Sequence, residues 1–345
     1  MRRPMVWVVA AACGLIGAQA CGDDADSEAG DAGAGDDARR DTAAGGRGGS
    51  SSAGRGGATA GAGGTRPGAN AGAGGKGTNT GTEEKQAVEI KFKAKYGAED
   101  LECGRWYDNP GVSKVRVTVQ DFRWFVEEVR LIKKDGAEVK MDFDDRSPVQ
   151  TKDVAMLDFT DGTGRCETGS ADVNTTITGK APRGEYTGIV FVNGVPEALN
   201  HANITEAKPP LQDTTLYWSW RSGYRFIVNE LFIEEGASEL PEGDGGVRDD
   251  PTSKFIHIGS GGCTETPPNY TCTRSNRSVI KLDNFDPSKN VITADLAKVF
   301  ENIDLKAQDV QCHGANPVCK PGYEAFGVSF DTGMPQDTQT VFGVE

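Results

Sequence analysis

The chain has 345 residues, a formal net charge of −14 and an isoelectric point near 4.8. That balance excludes the basic footprint of a nucleic-acid binder and argues against retention on anionic lipid head groups. Apolar residues are so unevenly spread that the sequence divides into a leader, a tether and one folding domain.

Residues 1–20 read as a signal peptide: Arg2 and Arg3 supply positive charge, residues 6–20 are apolar or small, and Ala18-Gln19-Ala20 precedes Cys21. The run is too short to span a bilayer. Cys21, followed by Gly22, looks like the lipidated cysteine of a bacterial lipobox, with Ala18 where such motifs usually carry Leu. Plain cleavage after Ala20 is the alternative, but it leaves an exposed thiol prone to oxidation. The expected product is a lipoprotein of a Gram-negative bacterium, periplasmic or on the cell surface, that meets membrane through its lipid anchor alone. Residues 21–87 have no Val, Ile, Leu, Met, Phe, Tyr or Trp and cannot build a core. They are expected to be a Gly-, Ala- and Asp-rich disordered tether, whose ~65 residues would span roughly 45 Å r.m.s..

Residues 88–345 carry the core. Residues 88–96 (VEIKFKAKY) alternate apolar and polar without interruption, the pattern of a half-buried strand. Val115, Val117 and Val119 alternate with polar neighbours, residues 125–132 read as a further strand ending at Asp135-Gly136, and residues 186–192 and 224–233 add two more. Turn-rich loops separate them, which predicts an all-β fold, a disulfide-stapled β-sandwich. One short C-terminal helix is expected, with Thr293 as N-cap and Leu296, Val299, Phe300 and Ile303 on its apolar face. Six cysteines remain in this domain: Cys103, Cys166, Cys263, Cys272, Cys312 and Cys319. An even number in an oxidising compartment implies three disulfides among 15 connectivities.

The densest aromatic segment runs over residues 217–226 (YWSWRSGYRF), with His201 before it and His257 after it. In a strand Trp218 and Trp220 share one face, which serves equally as core or as a site. His257 lies between apolar neighbours, where a satisfied buried imidazole is the ordinary expectation. Several segments nevertheless stand in a telling order: Cys103-Gly104, Asp121-Phe122-Arg123-Trp124-Phe125-Val126, Leu157-Asp158-Phe159 before Cys166, Gly194-Val195-Pro196 with Leu199-Asn200-His201, Trp218-Ser219-Trp220 with Gly223-Tyr224-Arg225-Phe226, and His257-Ile258-Gly259-Ser260 before Cys263. In that order and spacing they resemble the MbnP family, copper proteins with a four-cysteine motif that are paired with a MauG-like dihaem enzyme.

The resemblance implies an exported copper-binding protein, not an enzyme, that is the protein substrate of a dihaem cytochrome c peroxidase-family partner in copper acquisition or homeostasis. It implies His201 and His257 as ligands, with Trp218 or Trp220 oxidised to kynurenine, whose aryl amine and ketone are donors that tryptophan lacks. Copper, favoured as Cu(I), suits imidazole nitrogen and tolerates few ligands. Tyr224 and Tyr217 are candidates for passing an oxidising equivalent inward. We expect Cys103 to pair with Cys166 and the last four cysteines to staple the C-terminal region. A thiol metal site among those four is disfavoured, because no CxxC pair occurs.

The sequence departs from the family pattern in that residues around Asn203 add no ligand and Gly261 stands where Thr is expected. No CxxCH motif is present, so the chain binds no c-type haem itself, and His313, remote in sequence, is left out of the site. Asp158, Asp161 and residues 142–145 lack EF-hand spacing, and neither a GxSxG elbow nor a P-loop occurs. The alternatives from other classes are a surface module that binds glycan or protein on an aromatic platform, and a ligand-free envelope lipoprotein.

Overall fold

A computed structural model describes residues 84–108, 111–171, 173–219, 221–234, 252–264, 270–306, 309–314 and 316–345. The leader, Cys21, nearly all of the tether and Trp220 lie outside the described residues.

Two sheets face one another. The smaller has the order Phe342–Val344, Ile292–Asp295, Lys85–Tyr96, Thr176–Pro182, Asp142–Phe143, with Glu99–Asp100 beside Lys85–Tyr96. The larger runs Ser278–Asp283, Tyr186–Asn193, Arg116–Lys133, Gly223–Ile233, Ser253–Gly259, Gln311–Cys312, with shorter strands flanking Arg116–Lys133 and Gly223–Ile233. Rings from both sheets interdigitate. Phe92 of the smaller sheet lies 6.2 Å from Trp124 and 5.7 Å from Phe191 of the larger, and Phe342 lies 5.7 Å and 5.2 Å from the same two rings. Such edge-to-face contacts favour the aromatic quadrupoles and fill the space between the sheets. The chain is an all-β sandwich, as its alternation predicts.

The first strand keeps its alternation in space, with Val88, Ile90, Phe92, Ala94 and Tyr96 all buried, and it starts at Lys85, opposite Pro182. The two strands expected at Val115–Val119 and residues 125–132 are one strand of 18 residues, Arg116–Lys133, buried along most of both faces. A strand covered on both faces need not alternate, which hid its continuity. The expected helix is five residues long, Leu296–Phe300, and its N-cap is Asp295, whose carboxylate accepts from Ala297 N at 3.0 Å. Thr293 is held in the sheet opposite Lys93, so the helix cannot begin before Asp295. Glu197–Asn200 and Lys320–Ala325 are further short helices that the sequence reading did not anticipate.

Three disulfides form: Cys103–Cys166, Cys263–Cys272 and Cys312–Cys319. The expected Cys103–Cys166 pair is present, and the other four cysteines join as two short-range pairs in the C-terminal region.

Candidate functional site

His257 stands in Ser253–Gly259 opposite Val228 of Gly223–Ile233. Residues two apart on a strand share a face, so Glu230 is the diagonal neighbour of His257, and its Oε1 lies 2.8 Å from His257 Nε2. Both side chains are buried. One strand further, Asp121 is opposite Glu230 and Arg123 opposite Val228. Arg123 donates from Nε and Nη2 to the two oxygens of Asp121 at 2.7 and 2.6 Å, and from Nη1 to Asp213 at 2.8 Å. A buried row of charge therefore crosses three strands and ends at the imidazole. Burial pushes the Asp121 pKa up while Arg123 pulls it down. Burial likewise pushes the His257 pKa down, with Glu230 opposing, so the ring is neutral at neutral pH.

His313 reaches this row through a parallel pairing, Phe255 with Gln311 and Ile256 with Cys312, secured by the Cys312–Cys319 disulfide. The residue is exposed, yet its ring packs 4.7 Å from Phe255 and 5.0 Å from His257. The two Nδ1 atoms are 3.3 Å apart. Desolvation first, then His257 and Arg225, lower the His313 pKa to about 4. Two neutral imidazoles thus meet nitrogen to nitrogen, one deep and one at the surface.

Trp218 covers this corner, with its ring 6.2 Å from that of His313 and edge-on to it. It lies directly on Gly259, where a Cβ would come within 2.6 Å of the indole. A bulge between Arg225 and Ile227 puts Arg225 opposite Gly259, and its guanidinium sits 5.9 Å from the Trp218 ring.

His201 follows the Glu197–Asn200 helix. Its Nε2 lies 3.2 Å from Cys272 Sγ and 3.1 Å from Asn200 Nδ2, and its ring stacks on Tyr270 at 4.8 Å. Asn200 is buried, accepts from Tyr224 N at 3.0 Å and donates to Ser260 Oγ at 3.3 Å. That ties His201 to the strand end that Trp218 covers. Gly223, at φ +75°, permits this contact, since a Cβ there would meet Asn200 Oδ1 at 2.4 Å. Tyr217 and Tyr224 stand with ring centroids 4.9 Å apart, and the Tyr224 hydroxyl donates to Leu211 O at 2.6 Å. Burial raises the Tyr224 pKa to about 12.

Of the residues singled out from sequence, His257 and Trp218 come together around His313, His201 sits with Cys272 and Tyr270, and Trp220 lies outside the described residues. His313 and Glu230 are additions. No spacing signals His313, because the pairing that delivers it joins residues 56 apart. Glu230 carried no signal of its own, since its strand also holds Arg225 and Asn229.

The site is a pair of neutral imidazole nitrogens, one oriented by a carboxylate, beside a partly covered indole. Imidazole so oriented is the usual donor to a borderline or soft metal ion. The fold and site define a disulfide-stapled β-sandwich with a potential metal centre on the outer face of its larger sheet.

The MbnP family profile matches residues 85–317, and the chain belongs to that family. Among solved structures it is similar to MbnP from Methylosinus trichosporium, with 26% identity and a TM-score of 0.66 over 76% of this chain and 98% of that one. No curated protein matches the sequence.

Proposed function

We infer that this protein binds copper at His257 and His313, with Trp218 as the residue oxidised to kynurenine, and that it serves copper acquisition or homeostasis as an exported lipoprotein rather than as an enzyme. The observation that carries the reading is the 3.3 Å approach of two Nδ1 atoms, one on a ring whose other nitrogen is bonded to a buried carboxylate. With Glu230 ionised, the carboxylate only accepts, and His257 would carry its proton on Nε2 and turn the Nδ1 lone pair toward His313. The exposure of His313 gives an ion a way in. Bound copper would be the monovalent form that imidazoles hold at low coordination number. His201, tied to the same strand end through Asn200, and Trp220 complete the set implied by the family.

Oxidation of Trp218 needs an external oxidant, and the MauG-like dihaem partner is the proposed source. The indole C2–C3 bond breaks with an oxygen added at each carbon, and hydrolysis then releases C2 as formate, so the product gains one oxygen and loses one carbon. Family membership and the position of Trp218 beside His313 support this step.

The test is an anaerobic Cu(I) competition titration, with peptide mass spectrometry of protein from its native host. His257→Ala and His313→Ala should each lower affinity about tenfold or more with the fold intact, and the Trp218 peptide should carry the kynurenine mass. Wild-type affinity in both variants sinks the ligand assignment, and unmodified tryptophan in mature protein sinks the oxidation.

A further inference from the structure

We propose that Cys263 and Cys272 form a reducible disulfide and that its open form, together with His201, is a second binding site for monovalent copper. The two cysteines lie directly opposite one another in the hairpin of Gly261–Cys263 and Cys272–Arg274. Both are half-exposed, whereas Cys312 and Cys319 are fully buried and the half-exposed Cys103 is joined to a fully buried Cys166, so this is the bridge of the three whose two sulfurs are both open to a soluble dithiol.

His201 makes the bridge chemically distinct. Its Nε2 lies 3.2 Å from Cys272 Sγ. When a dithiol thiolate attacks Cys263 Sγ, the S–S bond breaks and Cys272 leaves as a thiolate that takes its proton from solvent. The second thiol of the reductant then resolves the mixed disulfide. Two electrons pass from the dithiol to the protein, leaving two protein thiols and one oxidised reductant.

The hairpin does not depend on the bridge. Gly261 still pairs with Arg274, Thr264 N donates to Thr271 O at 2.9 Å, and Asn276 Nδ2 holds Gly259 O at 2.6 Å. The three donor atoms, His201 Nε2 and the two sulfurs, lie within 4.8 Å of one another in the closed form. Two thiolates and one imidazole are a soft set suited to monovalent copper. Binding would release the two thiol protons and change no oxidation state. Asn200, fixed by Tyr224 and Ser260, holds His201 Nε2 beside Cys272 at 3.1 Å from its own amide nitrogen.

The experiment uses the whole exported chain, opened under native conditions with limiting dithiothreitol. Differential alkylation reads which bridge opens, and anaerobic Cu(I) titration against a chromophoric chelator counts sites. Cys263 and Cys272 should be labelled before the other four cysteines, and the opened protein should bind one more Cu(I) per chain than the closed protein. His201→Ala should weaken that added site about tenfold or more, and the double variant Cys263→Ser, Cys272→Ser should lack it. The His257→Ala variant should retain it, which separates this proposal from the imidazole-pair reading. Opening of another bridge first, no added Cu(I), an added site that survives in the double serine variant or is untouched by His201→Ala, or loss of the native circular dichroism spectrum on opening would each overturn the proposal.

Discussion

Glu230 governs His257 through a single contact of 2.8 Å, and that contact can be weakened without creating a cavity. Replacing the carboxylate by an amide keeps the shape and an acceptor oxygen but removes the charge that makes the ring a better donor. Glu230→Gln should lower copper affinity by about tenfold, within the range of outer-shell changes at metal sites. The apo fold should be as stable as before or more so, because one of two acids leaves a buried row that also holds Asp121. Parallel Cu(I) titration and urea unfolding of the variant check both halves, and a fall in stability with unchanged affinity would assign Glu230 a purely structural role.

At the scale of elements, the corner where Ser253–Gly259 ends is built by close approach. The Trp218 indole lies on Gly259 and the Asn200 amide on Gly223, and neither neighbour leaves room for a methyl group. Gly259→Ala would drive a Cβ to 2.4 Å from Tyr224 O and 2.6 Å from the indole. We expect a loss of about 1–3 kcal/mol, with Trp218 displaced from His313 and a changed tryptophan emission spectrum. Unfolding curves and fluorescence together read this, and an unchanged spectrum would show that Trp218 is placed by something other than Gly259. The bulge beside it has a similar part, since without the extra residue Arg225 would turn to the other face of its strand.

For the whole molecule, buried acids set how stability varies with pH. Asp158 is fully buried beside the sandwich core, and burial pushes its pKa up to about 6 from an ordinary 3.8, against hydrogen bonds from Thr160. Between those two values the native protein holds more protons than the unfolded chain, so stability falls as pH rises through the window. The loss from this group is complete above its folded pKa and amounts to about 3 kcal/mol at most. Asp158→Asn should therefore flatten the profile between about pH 4 and pH 6, with the largest gain relative to wild type near neutrality. Denaturant midpoints at pH 4.5 and pH 7 test this, and an equal slope in both proteins would rule Asp158 out as the source.

Strand alternation in residues 88–96, the turn at Asp135-Gly136, the even cysteine count and the aromatic segment were legible locally, because each is a property of neighbours along the chain. Order and spacing of motifs likewise carried the family, and with it His257 and Trp218. The length of Arg116–Lys133 was not legible, since burial on both faces erases the periodicity by which a strand is recognised. Nor was the cap at Asp295, which depends on Thr293 being held by a strand some 200 residues away. The sequence by itself thus determined the class of fold, the number of disulfides and half of the candidate site. Only the tertiary structure decided which imidazole meets His257 and which carboxylate orients it, because a parallel pairing and a diagonal across two strands join residues that no local pattern connects.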